Sequence, residues 1–527
     1  MESPHLRCGN PATGLLGLCL LVLSGIVLAG CLMTSKEQRP EDEGGFGQVV
    51  VYVGLPAASE AGLAFEATAL EVKPAEGEWR RLMTGPLRLD SQAMRGQQVL
   101  VAERTLPSGQ YSTLRLYLSN ASLERKGKAL TLALPEGGFV DYPFAFRVER
   151  GQTASVLLSW SPDDSLVDGC LLRPAFSRQT ATGAARSLEV YVTNEGSNNV
   201  SVIDRQAGLV VKTIGVGAAP RGICCGSFES RTKLFVANSG DNTVSVIDPV
   251  ANLVEQTIPL RFGERPEDIA AYAGGAVYVA NYGSQNLSII DPTFLREVDR
   301  VGVGRGPVAL AMDPSAEKIM GAVGLPIADL NLWRSYRQSH FYVYVANELS
   351  NSVTVVVCRA SDGLPEPGST MELRVEFSPV GLAVDAARAK VYVANRDSTN
   401  LSVIDIIQLI RGQQAGAVTS IRNVGNNARS VVPDPLFERL YLLRAAPDEV
   451  DFIQTTSSPV IRGGIVSILG AVKVGERPRR LVLDPEAQKL YVTCQGSDSL
   501  NVIDKTSRKV LQRIEVGHLP YAVVIIP

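Results

Sequence analysis

The sequence predicts an all-β protein, most of it a ring of similar four-stranded units, and three observations support this prediction. The composition is globular, with 45% hydrophobic residues, and 48 glycines and 30 prolines in 527 residues indicate many tight turns between short strands. A short motif led by an aromatic residue recurs seven times after Ser187. Its aromatic residues stand at positions 191, 235, 278, 344, 392, 441 and 491, so the intervals are 44, 43, 66, 48, 49 and 50 residues.

Intervals of roughly 40–50 residues are typical of a four-stranded propeller blade. The predicted fold class is therefore all-β, with a seven-bladed β-propeller preceded by a smaller β-sandwich domain. The elements are taken below in chain order.

The first 30 residues have the pattern of an export signal. Arg7 precedes an uncharged apolar stretch from Gly14 to Ala29, and Leu28-Ala29-Gly30-Cys31 places small residues before a cysteine. This segment resembles the lipobox of bacterial lipoproteins. The resemblance implies that residues 1–30 are a signal peptide and that Cys31 becomes the lipid-modified first residue of the mature chain, held on a membrane by two or three acyl chains. The alternative is an uncleaved anchor helix, for which the apolar run is short.

The cell envelope is the location that this resemblance implies. Both alternatives tether the chain to a membrane outside the cytoplasm, and Leu32, rather than Asp, after the cysteine favours the outer membrane in an organism with two membranes. Residues 31–46 are mostly polar and charged, as in SKEQRPEDEGG, and predict a flexible tether.

Residues 47–178 predict the β-sandwich domain. Short alternating runs, such as residues 48–53, 114–118 and 153–160, are separated by glycine and proline. The runs GQVVVYVGLPA, LPSGQYSTLRLYL and GQTASVLLSW resemble an uncharacterised β-sandwich domain that often follows the lipid anchor of bacterial lipoproteins. These motifs are structural, so they imply a fold and no chemistry.

Residues 187–527 carry the repeats. The seven copies are YVTN, FVAN, YVAN, YVAN, YVAN, YLLR and YVTC, and thirteen residues after each aromatic a second strand ends, in five copies at an aspartate. This pattern resembles the YVTN repeat family of β-propellers. Blade 1 has no inner strand before Tyr191, whereas residues 521–527 form an inner strand with no blade after it. The C-terminal strand is therefore expected to complete blade 1 and close the ring.

The repeated polar residues have a structural interpretation. Asparagine at the end of the YVTN strand and aspartate at the end of the next strand both suit tight turns, so neither is a catalytic candidate. Gly-x-x-Pro turns at Gly217, Gly263, Gly304 and Gly475 open inner strands, and we expect each of these glycines to supply a positive φ.

Composition and motifs exclude several classes of function. A formal charge of −3 without a sustained basic block gives no reason to expect a nucleic-acid partner. After the signal only His340 and His518 remain, neither in a metal-ligand spacing, and hydrolase and metalloprotease motifs are missing. No metal, cofactor or catalytic residue is predicted. The five cysteines beyond Cys31 are expected to be small buried residues, with disulfide pairing left open.

One candidate binding site is a set of arginines at the beginnings of the inner strands. They should lie on one face, around the channel mouth, where guanidinium groups suit a carboxylate or phosphate ligand. The set comprises Arg221, Arg265, Arg305, Arg429, Arg477 and Arg479. The alternative is a solvated rim in which nearby acids neutralise them, namely Glu264, Glu267, Asp268 and Glu476.

A second candidate surface is formed by insertions on the opposite face. Residues 319–341 lengthen blade 4 between its first and second strands, and shorter insertions follow the third strands of blades 4, 5 and 6 at residues 363–370, 407–417 and 455–464. The long insertion carries Leu332, Trp333 and Tyr336, which suit contact with an envelope protein partner. The alternatives are docking against the sandwich and simple loop variation.

These observations favour a membrane-anchored, extracytoplasmic binding or scaffold protein that presents a propeller for protein or small-ligand recognition. The alternative is a lactonase-like propeller hydrolase of the cell envelope that uses the arginine-lined channel.

Overall fold

The computed structural model describes residues 45–526, apart from residues 56–61, 84, 126–127, 180–188, 229–230, 274, 316–318, 320–324, 456–466, 485 and 487. The predicted signal peptide, Cys31 and nearly all of the tether lie outside the described residues. Phe46–Pro527 forms one compact unit. The fold class is as predicted: an all-β chain in which a β-sandwich precedes a seven-bladed β-propeller. Within the described part of the chain, no helix is both long and apolar enough to span a membrane.

In its described residues, the sandwich contains thirteen strands and two short 3-10 turns at Glu136–Gly138 and Asp163–Ser165. The strands are β1 Phe46–Gly54, β2 Gly62–Pro74, β3 Arg80–Arg81, β4 Leu87–Asp90, β5 Gln98–Pro107, β6 Gly109–Arg125, β7 Lys128–Thr131, β8 Phe139–Tyr142, β9 Phe146–Val148, β10 Thr153–Ser161, β11 Leu166–Val167, β12 Leu171–Leu172 and β13 Ala175–Arg178.

Two sheets enclose the sandwich core. One has the order β13-β10-β1-β5, and the other is built on β2 and β6, with β3, β4, β7, β8 and β9 at its margins. Val49, Val51 and Val53 of β1 point into this core beside Phe65 and Trp160. The remaining apolar residues of β1 lie on its other face, so the strand is buried on both sides.

The propeller consists of seven four-stranded antiparallel sheets. From the inner strand outwards, blade 1 is β41 Pro520–Ile525, β14 Glu189–Asn194, β15 Asn199–Asp204 and β16 Leu209–Gly215; blade 2 is β17 Pro220–Phe228, β18 Arg231–Asn238, β19 Thr243–Asp248 and β20 Leu253–Pro259; blade 3 is β21 Pro266–Tyr272, β22 Ala276–Asn281, β23 Asn286–Asp291 and β24 Arg296–Gly302.

The other four blades have the same order. Blade 4 is β25 Pro307–Met312, β26 His340–Asn347, β27 Ser352–Arg359 and β28 Pro365–Arg374; blade 5 is β29 Pro379–Asp385, β30 Lys390–Asn395, β31 Leu401–Asp405 and β32 Val418–Ile421; blade 6 is β33 Ala428–Pro433, β34 Arg439–Arg444, β35 Glu449–Gln454 and β36 Ser467–Lys473; blade 7 is β37 Pro478–Asp484, β38 Lys489–Cys494, β39 Ser499–Asp504 and β40 Lys509–Glu515. Helices α1 Ile327–Ser339 and α2 Ile406–Ile410 interrupt blades 4 and 5, and 3-10 turns lie at Gln414–Gly416 and Gln495–Ser497.

The two ends of the propeller segment meet in blade 1. Strand β41 pairs antiparallel with β14, with Tyr191 opposite Val524, so the C-terminal strand supplies the inner strand of the first blade. This pairing leaves the ring without an open edge at its channel.

The sandwich packs on the outside of the propeller where blades 7 and 1 meet. Tyr52 of β1 lies in an apolar cluster with Val192 of blade 1 and Tyr491 of blade 7. The amide of Gln98 accepts from the Val210 backbone N–H at 2.9 Å and donates to the Val210 carbonyl at 3.3 Å, as a neighbouring strand would.

At this contact, edge strands of each domain are covered by side chains of the other. In the sandwich, β5 is an edge strand, and the N–H of its Leu100 donates to Glu515 Oε2 of blade 7 at 3.1 Å. In blade 1, β16 is the outer strand, and the N–H of its Thr213 donates to Ser155 Oγ of the sandwich at 2.9 Å. Backbone groups that would otherwise be open edges are thus satisfied across the interface.

The repeated asparagines hold the turns of the propeller. The Nδ2 of Asn238, for example, donates to Thr243 Oγ1 and Ser245 Oγ, both at 2.9 Å, and the other four asparagines of this motif make equivalent bonds. The aspartates that end the third strands accept from backbone amides two and three residues later, as Asp204 does from Gln206 and Ala207. Both residue types therefore act in turns, as predicted.

The role predicted for the turn glycines is wrong. The positive φ lies on the residue before the proline, as at Ala219 (48°) and Arg265 (52°), and not on Gly217 or Gly263. These glycines are needed because the motif asparagine packs against them. A Cβ on Gly217 would stand 2.5 Å from Asn238 Nδ2, closer than real Cβ contacts.

Buried aspartates end the inner strands of blades 4 to 7 on the other face of the ring. In two blades a basic residue from the next blade pairs with the aspartate: Lys505 Nζ lies 2.9 Å from Asp434 Oδ2, and Arg205 Nε lies 2.7 Å from Asp484 Oδ2. Each basic residue directly follows a third strand. Three of these four side chains are at least 95% buried, and Arg205 is nearly so, so these pairs join adjacent blades through the protein interior.

Blade 4 lacks such a basic partner. The corresponding position of blade 5 is the apolar Ile406, and Asp313 instead accepts from the Tyr344 hydroxyl and the Tyr342 N–H, both at 3.0 Å. Burial raises the pKa of Asp313 to about 6, against its hydrogen bonds and the more distant charge of Arg337.

Candidate functional site: the channel mouth

The side chains at the second position of each inner strand form a ring around one end of the channel, which we call the mouth ring. The face on which it lies is called the upper face. Following the blades from 1 to 7, the mouth ring consists of Tyr521, Arg221, Glu267, Val308, Val380, Arg429 and Arg479. Three of the six arginines predicted from sequence to bind an anion belong to this ring.

A continuous polar network joins the ring members of blades 7, 1, 2 and 3. Arg479 donates to the Tyr521 hydroxyl, and that hydroxyl donates to Glu267 Oε2 at 2.9 Å. The other Glu267 oxygen accepts from Arg221. Burial raises the pKa of Glu267, which is 3% exposed, while Arg221 and the Tyr521 hydroxyl act in the opposite direction.

Arg221 is fully engaged within this network. Besides Glu267, it donates to Glu195 Oε1 from Nη2 at 2.7 Å and from Nε at 3.0 Å. Glu195 directly follows the first YVTN strand and also accepts from Gln495 Nε2 at 3.3 Å. A guanidinium that already pairs with two carboxylates has few hydrogen-bond donors left for a ligand. Arg221 therefore belongs to the channel wall.

An ion pair crosses the channel one residue deeper. Arg480 Nη2 of blade 7 lies 2.9 Å from Asp268 Oδ2 of blade 3, although these blades are not neighbours. Asp268 also accepts from the Leu310 N–H of blade 4 at 2.9 Å. The mouth ring therefore has an ion pair across the channel beneath it.

Arg429 of blade 6 differs from the other ring arginines. Its half-buried side chain makes no hydrogen bond or ion pair within the part of the chain that the structure describes. Burial lowers the pKa of this guanidinium, and the neighbouring Arg479 and Arg396 lower it further. Glu348 and Asp397, which both pair with Arg396, act more weakly in the other direction. The mouth ring thus presents one unpaired cation next to two others.

The other three predicted arginines lie on the upper face outside the ring. Arg265 is exposed, stacks over Tyr282 at 4.8 Å from its centroid and approaches Glu267 at 4.0 Å. Arg305 is exposed and reaches only the Leu349 carbonyl at 3.4 Å. Arg477 is exposed and has a positive φ of 48°. None of the three occupies the second position of an inner strand.

The predicted neutralisation of the arginines is partly wrong. Glu267 and Asp268 do form ion pairs, whereas Glu264 and Glu476 make none with arginine within the described residues. Glu195, Glu348, Arg396 and Tyr521 were not foreseen. Three of these residues, Glu195, Glu348 and Arg396, directly follow a YVTN-type strand, and Tyr521 follows the last Leu-Pro turn. Alignment of the repeats on these two positions would have identified all four residues.

The insertion on the lower face, opposite the mouth ring, forms a helix. Helix α1 packs on blade 4 and against α2 of blade 5, and Arg411 Nη2 pairs with Asp329 Oδ1 at 2.5 Å. The sandwich lies on blades 7 and 1 instead, so the expected alternative of docking against the sandwich is wrong. The blade 6 insertion lies almost wholly outside the described residues.

The three predicted partner-binding residues are mainly core residues. Trp333 is 0% exposed and packs with Tyr344 and Val355, while Leu332 and Tyr336 are partly buried against the same cluster. Their helical spacing turns them toward the blade, because residues three and four apart share one face of a helix. The prediction that Trp333 anchors a partner protein is therefore wrong.

The five cysteines in the described part of the chain are free thiols. Cys358 and Cys494 are buried, as predicted, and Cys224 and Cys225 are half-buried, but Cys170 is exposed. Among the described residues no cluster of histidine, cysteine and acidic side chains has the arrangement of a metal site.

Comparison with known proteins identifies the first domain. Residues 51–174 match the family described as "Domain of unknown function (DUF4382)", which falls within the predicted sandwich. A comparison with curated proteins found no match.

Solved structures similar to this chain share the propeller. A functionally unknown protein from Desulfotomaculum acetoxidans superposes with a TM-score of 0.50 at 13% identity, over 64% of this chain and 99% of that one. A "putative 6-phosphogluconolactonase" from Bacteroides uniformis gives 0.49 at 13% identity over 65% and 100%, and one from Bacteroides fragilis gives 0.48 at 12% over 66% and 100%. At such identities the likeness concerns the fold alone.

Proposed function

We propose that this chain is a membrane-anchored, extracytoplasmic binding protein whose propeller takes up a small anionic ligand at the mouth ring. The observation that carries the proposal is the half-buried guanidinium of Arg429, which has no hydrogen-bond or ion-pair partner among the described residues and is repelled by the charges of Arg396 and Arg479. The anchor is inferred from Leu28-Ala29-Gly30-Cys31, with lipidation at Cys31 and a location in the cell envelope, and the repeats are those that resemble the YVTN family.

The chemistry of the ring favours an anion in this place. A half-buried cation without a partner loses hydration and gains nothing in exchange. A carboxylate or phosphate oxygen would supply hydrogen bonds to Arg429 and reduce its repulsion from the two neighbouring guanidiniums. Arginine suits this role because its planar donors pair with a carboxylate through two parallel bonds.

Calorimetric titration of the protein with acetate, succinate and inorganic phosphate tests the proposal. We expect binding of at least one of these anions with a stoichiometry near one, and its loss in Arg429→Met. Arg305→Met is the matched control, because it removes the same charge from the same face without touching the ring. Equal weakening by both variants would mean diffuse attraction to a positive surface, and the proposal would fail.

The anchor is tested separately. Metabolic labelling with a fatty acid should mark the wild-type protein, and Cys31→Ser should abolish the label and release the protein from membranes. Labelling that persists in Cys31→Ser would contradict lipidation at that residue.

A second candidate function is a lactonase-like hydrolase, which one observation favours. Glu267 is a buried carboxyl with a raised pKa, held beside the Tyr521 hydroxyl and two arginines, and general acid–base residues often have this setting. Turnover of lactones by the wild type that is lost in Glu267→Gln would support this function. Anion binding without turnover would leave the binding protein as the better conclusion.

A further inference from the structure

We infer that the ligand of the mouth ring is an amphipathic monoanion: a small carboxylate attached to an apolar body. This inference rests on the proposed function and names the chemical class of its ligand. The juxtaposition that supports it is the unpaired Arg429 beside an apolar half of the ring and two exposed apolar side chains above that half.

The ring has a polar and an apolar half. Blades 7, 1, 2 and 3 contribute the closed network, in which Arg221 pairs with Glu267 and Glu195, and Arg479 donates to the Tyr521 hydroxyl. Blades 4 and 5 contribute Val308 and Val380, of which Val380 is partly exposed. Arg429, which has no hydrogen-bond or ion-pair partner among the described residues, follows Val380 in the next blade and so adjoins the apolar half.

The upper face continues this apolar surface outwards. Phe377 stands two residues before Pro379 in the turn that opens blade 5, and 62% of it is exposed. Leu349 is 52% exposed and packs on Gly306, directly before the inner strand of blade 4. Both turns belong to the blades that supply Val308 and Val380. A ligand whose anionic end reaches Arg429 can therefore lay an apolar body along this side.

The contacts of the neighbouring arginines favour a ligand with one anionic group. Arg221 is occupied by two carboxylates, Arg479 bonds to Tyr521, and Arg396 pairs with Glu348 and Asp397. A second anionic group would meet these carboxylates or the valines. A monocarboxylate pairs with Arg429 and places no second charge against the carboxylates or the valines.

Titration with a series of straight-chain carboxylates tests the inference. Acetate, butyrate, hexanoate and octanoate, the last below its micelle concentration, are compared with inorganic phosphate and 1-octanol. We expect affinity to rise by up to about fourfold per added methylene, since each buried methylene contributes on that scale. We also expect 1-octanol to bind much more weakly than octanoate.

Two variants locate the binding site. Arg429→Met should abolish the binding of octanoate, and Phe377→Ser should weaken octanoate by about tenfold or more while leaving acetate unchanged. Phe294→Ser is the matched control, since Phe294 is an equally exposed aromatic (68%) on the opposite face. Phe377 is exposed, so its variant should fold even if Arg429→Met does not.

The outcomes separate the two proposals. If acetate or phosphate binds as tightly as octanoate and depends on Arg429, the binding protein stands and the amphipathic ligand is refuted. If octanoate binding survives Arg429→Met, or falls equally in Phe377→Ser and Phe294→Ser, the inference is also refuted. If no anion binds at all, both proposals fail.

Discussion

The buried carboxyl of Asp313 should make the protein less stable as the pH rises through 6. Its pKa is about 6 in the folded chain against an ordinary value of 3.8, so the folded state binds the proton more tightly than the unfolded state does. Between pH 4 and pH 7 the folded carboxyl ionises without a cationic partner. A shift of roughly 2 pKa units corresponds to about 2.4 kcal/mol of unfolding free energy lost over this interval.

Replacement by asparagine isolates this effect. Asp313→Asn keeps a carbonyl oxygen for the Tyr342 N–H and an amide for the Tyr344 hydroxyl, and it cannot ionise. The unfolding free energy of Asp313→Asn relative to wild type should therefore increase by about 2.4 kcal/mol from pH 4 to pH 7. For a unit of roughly 480 residues this is about 2.4 °C in melting temperature.

Thermal melts of both proteins between pH 4 and pH 7 provide the measurement. Asp434→Asn is the control, because Asp434 hydrogen-bonds Tyr441 and Lys505 and its pKa is lowered. The stabilisation that ionised Asp434 provides is lost only as the pH falls through this low pKa. The unfolding free energy of Asp434→Asn should therefore lie below that of wild type, with no relative increase near pH 6. A flat difference for Asp313→Asn, or one that shrinks as the pH rises, would show that Arg337 compensates the charge and would refute the reasoning.

Two further predictions concern the junction of blades 7 and 1. Deletion of residues 520–527 removes the inner strand of blade 1 and the ring member Tyr521, so the protein should lose its cooperative melt or aggregate through open strand edges; an unchanged melting temperature would contradict the closure. Arg205→Met leaves Asp484 buried without its cation and should cost about 3–5 kcal/mol, measured by denaturant unfolding. The double variant Arg205→Met/Asp484→Leu should recover much of that loss, and failure to do so would mean that packing rather than charge explains it.

Much of the propeller was predictable because the blades repeat the same residue pattern at equivalent structural positions. The aromatic residue and the asparagine of the YVTN strand recur at fixed positions, and both are buried in nearly identical environments. The strand at Pro520–Ile525 was recognisable because it had no blade of its own. The run Val49–Val53 likewise indicated a strand, but the alternation predicted for it is wrong, because the strand is buried on both faces.

The candidate site was less predictable because its pairing depends on contacts between distant repeats. Arg221 and Arg429 occupy the same position of their blades, yet one pairs with Glu195 and Glu267 and the other with nothing described. Spacing within a repeat cannot distinguish them. The wrong prediction at Trp333 had a local cause. Leu330, Trp333 and Arg337 are three and four residues apart, a spacing that indicates one face of a helix. Interpreting the segment as an inserted loop missed this spacing.

The ring closes at the seam between blades 7 and 1. There the inner strand of blade 1 comes from the C-terminal strand and is held to its blade by noncovalent contacts. Three independent layers meet there: the β41–β14 pairing at the channel, the Arg205–Asp484 pair in the interior, and the sandwich on the outside. Opening the ring at this seam would have to break all three together. Amide hydrogen exchange should therefore be slowest at the seam and faster in the outer strands of blades 2 and 3, whose residues are mostly exposed. The first partial unfolding of this protein would then begin far from the ends of its chain.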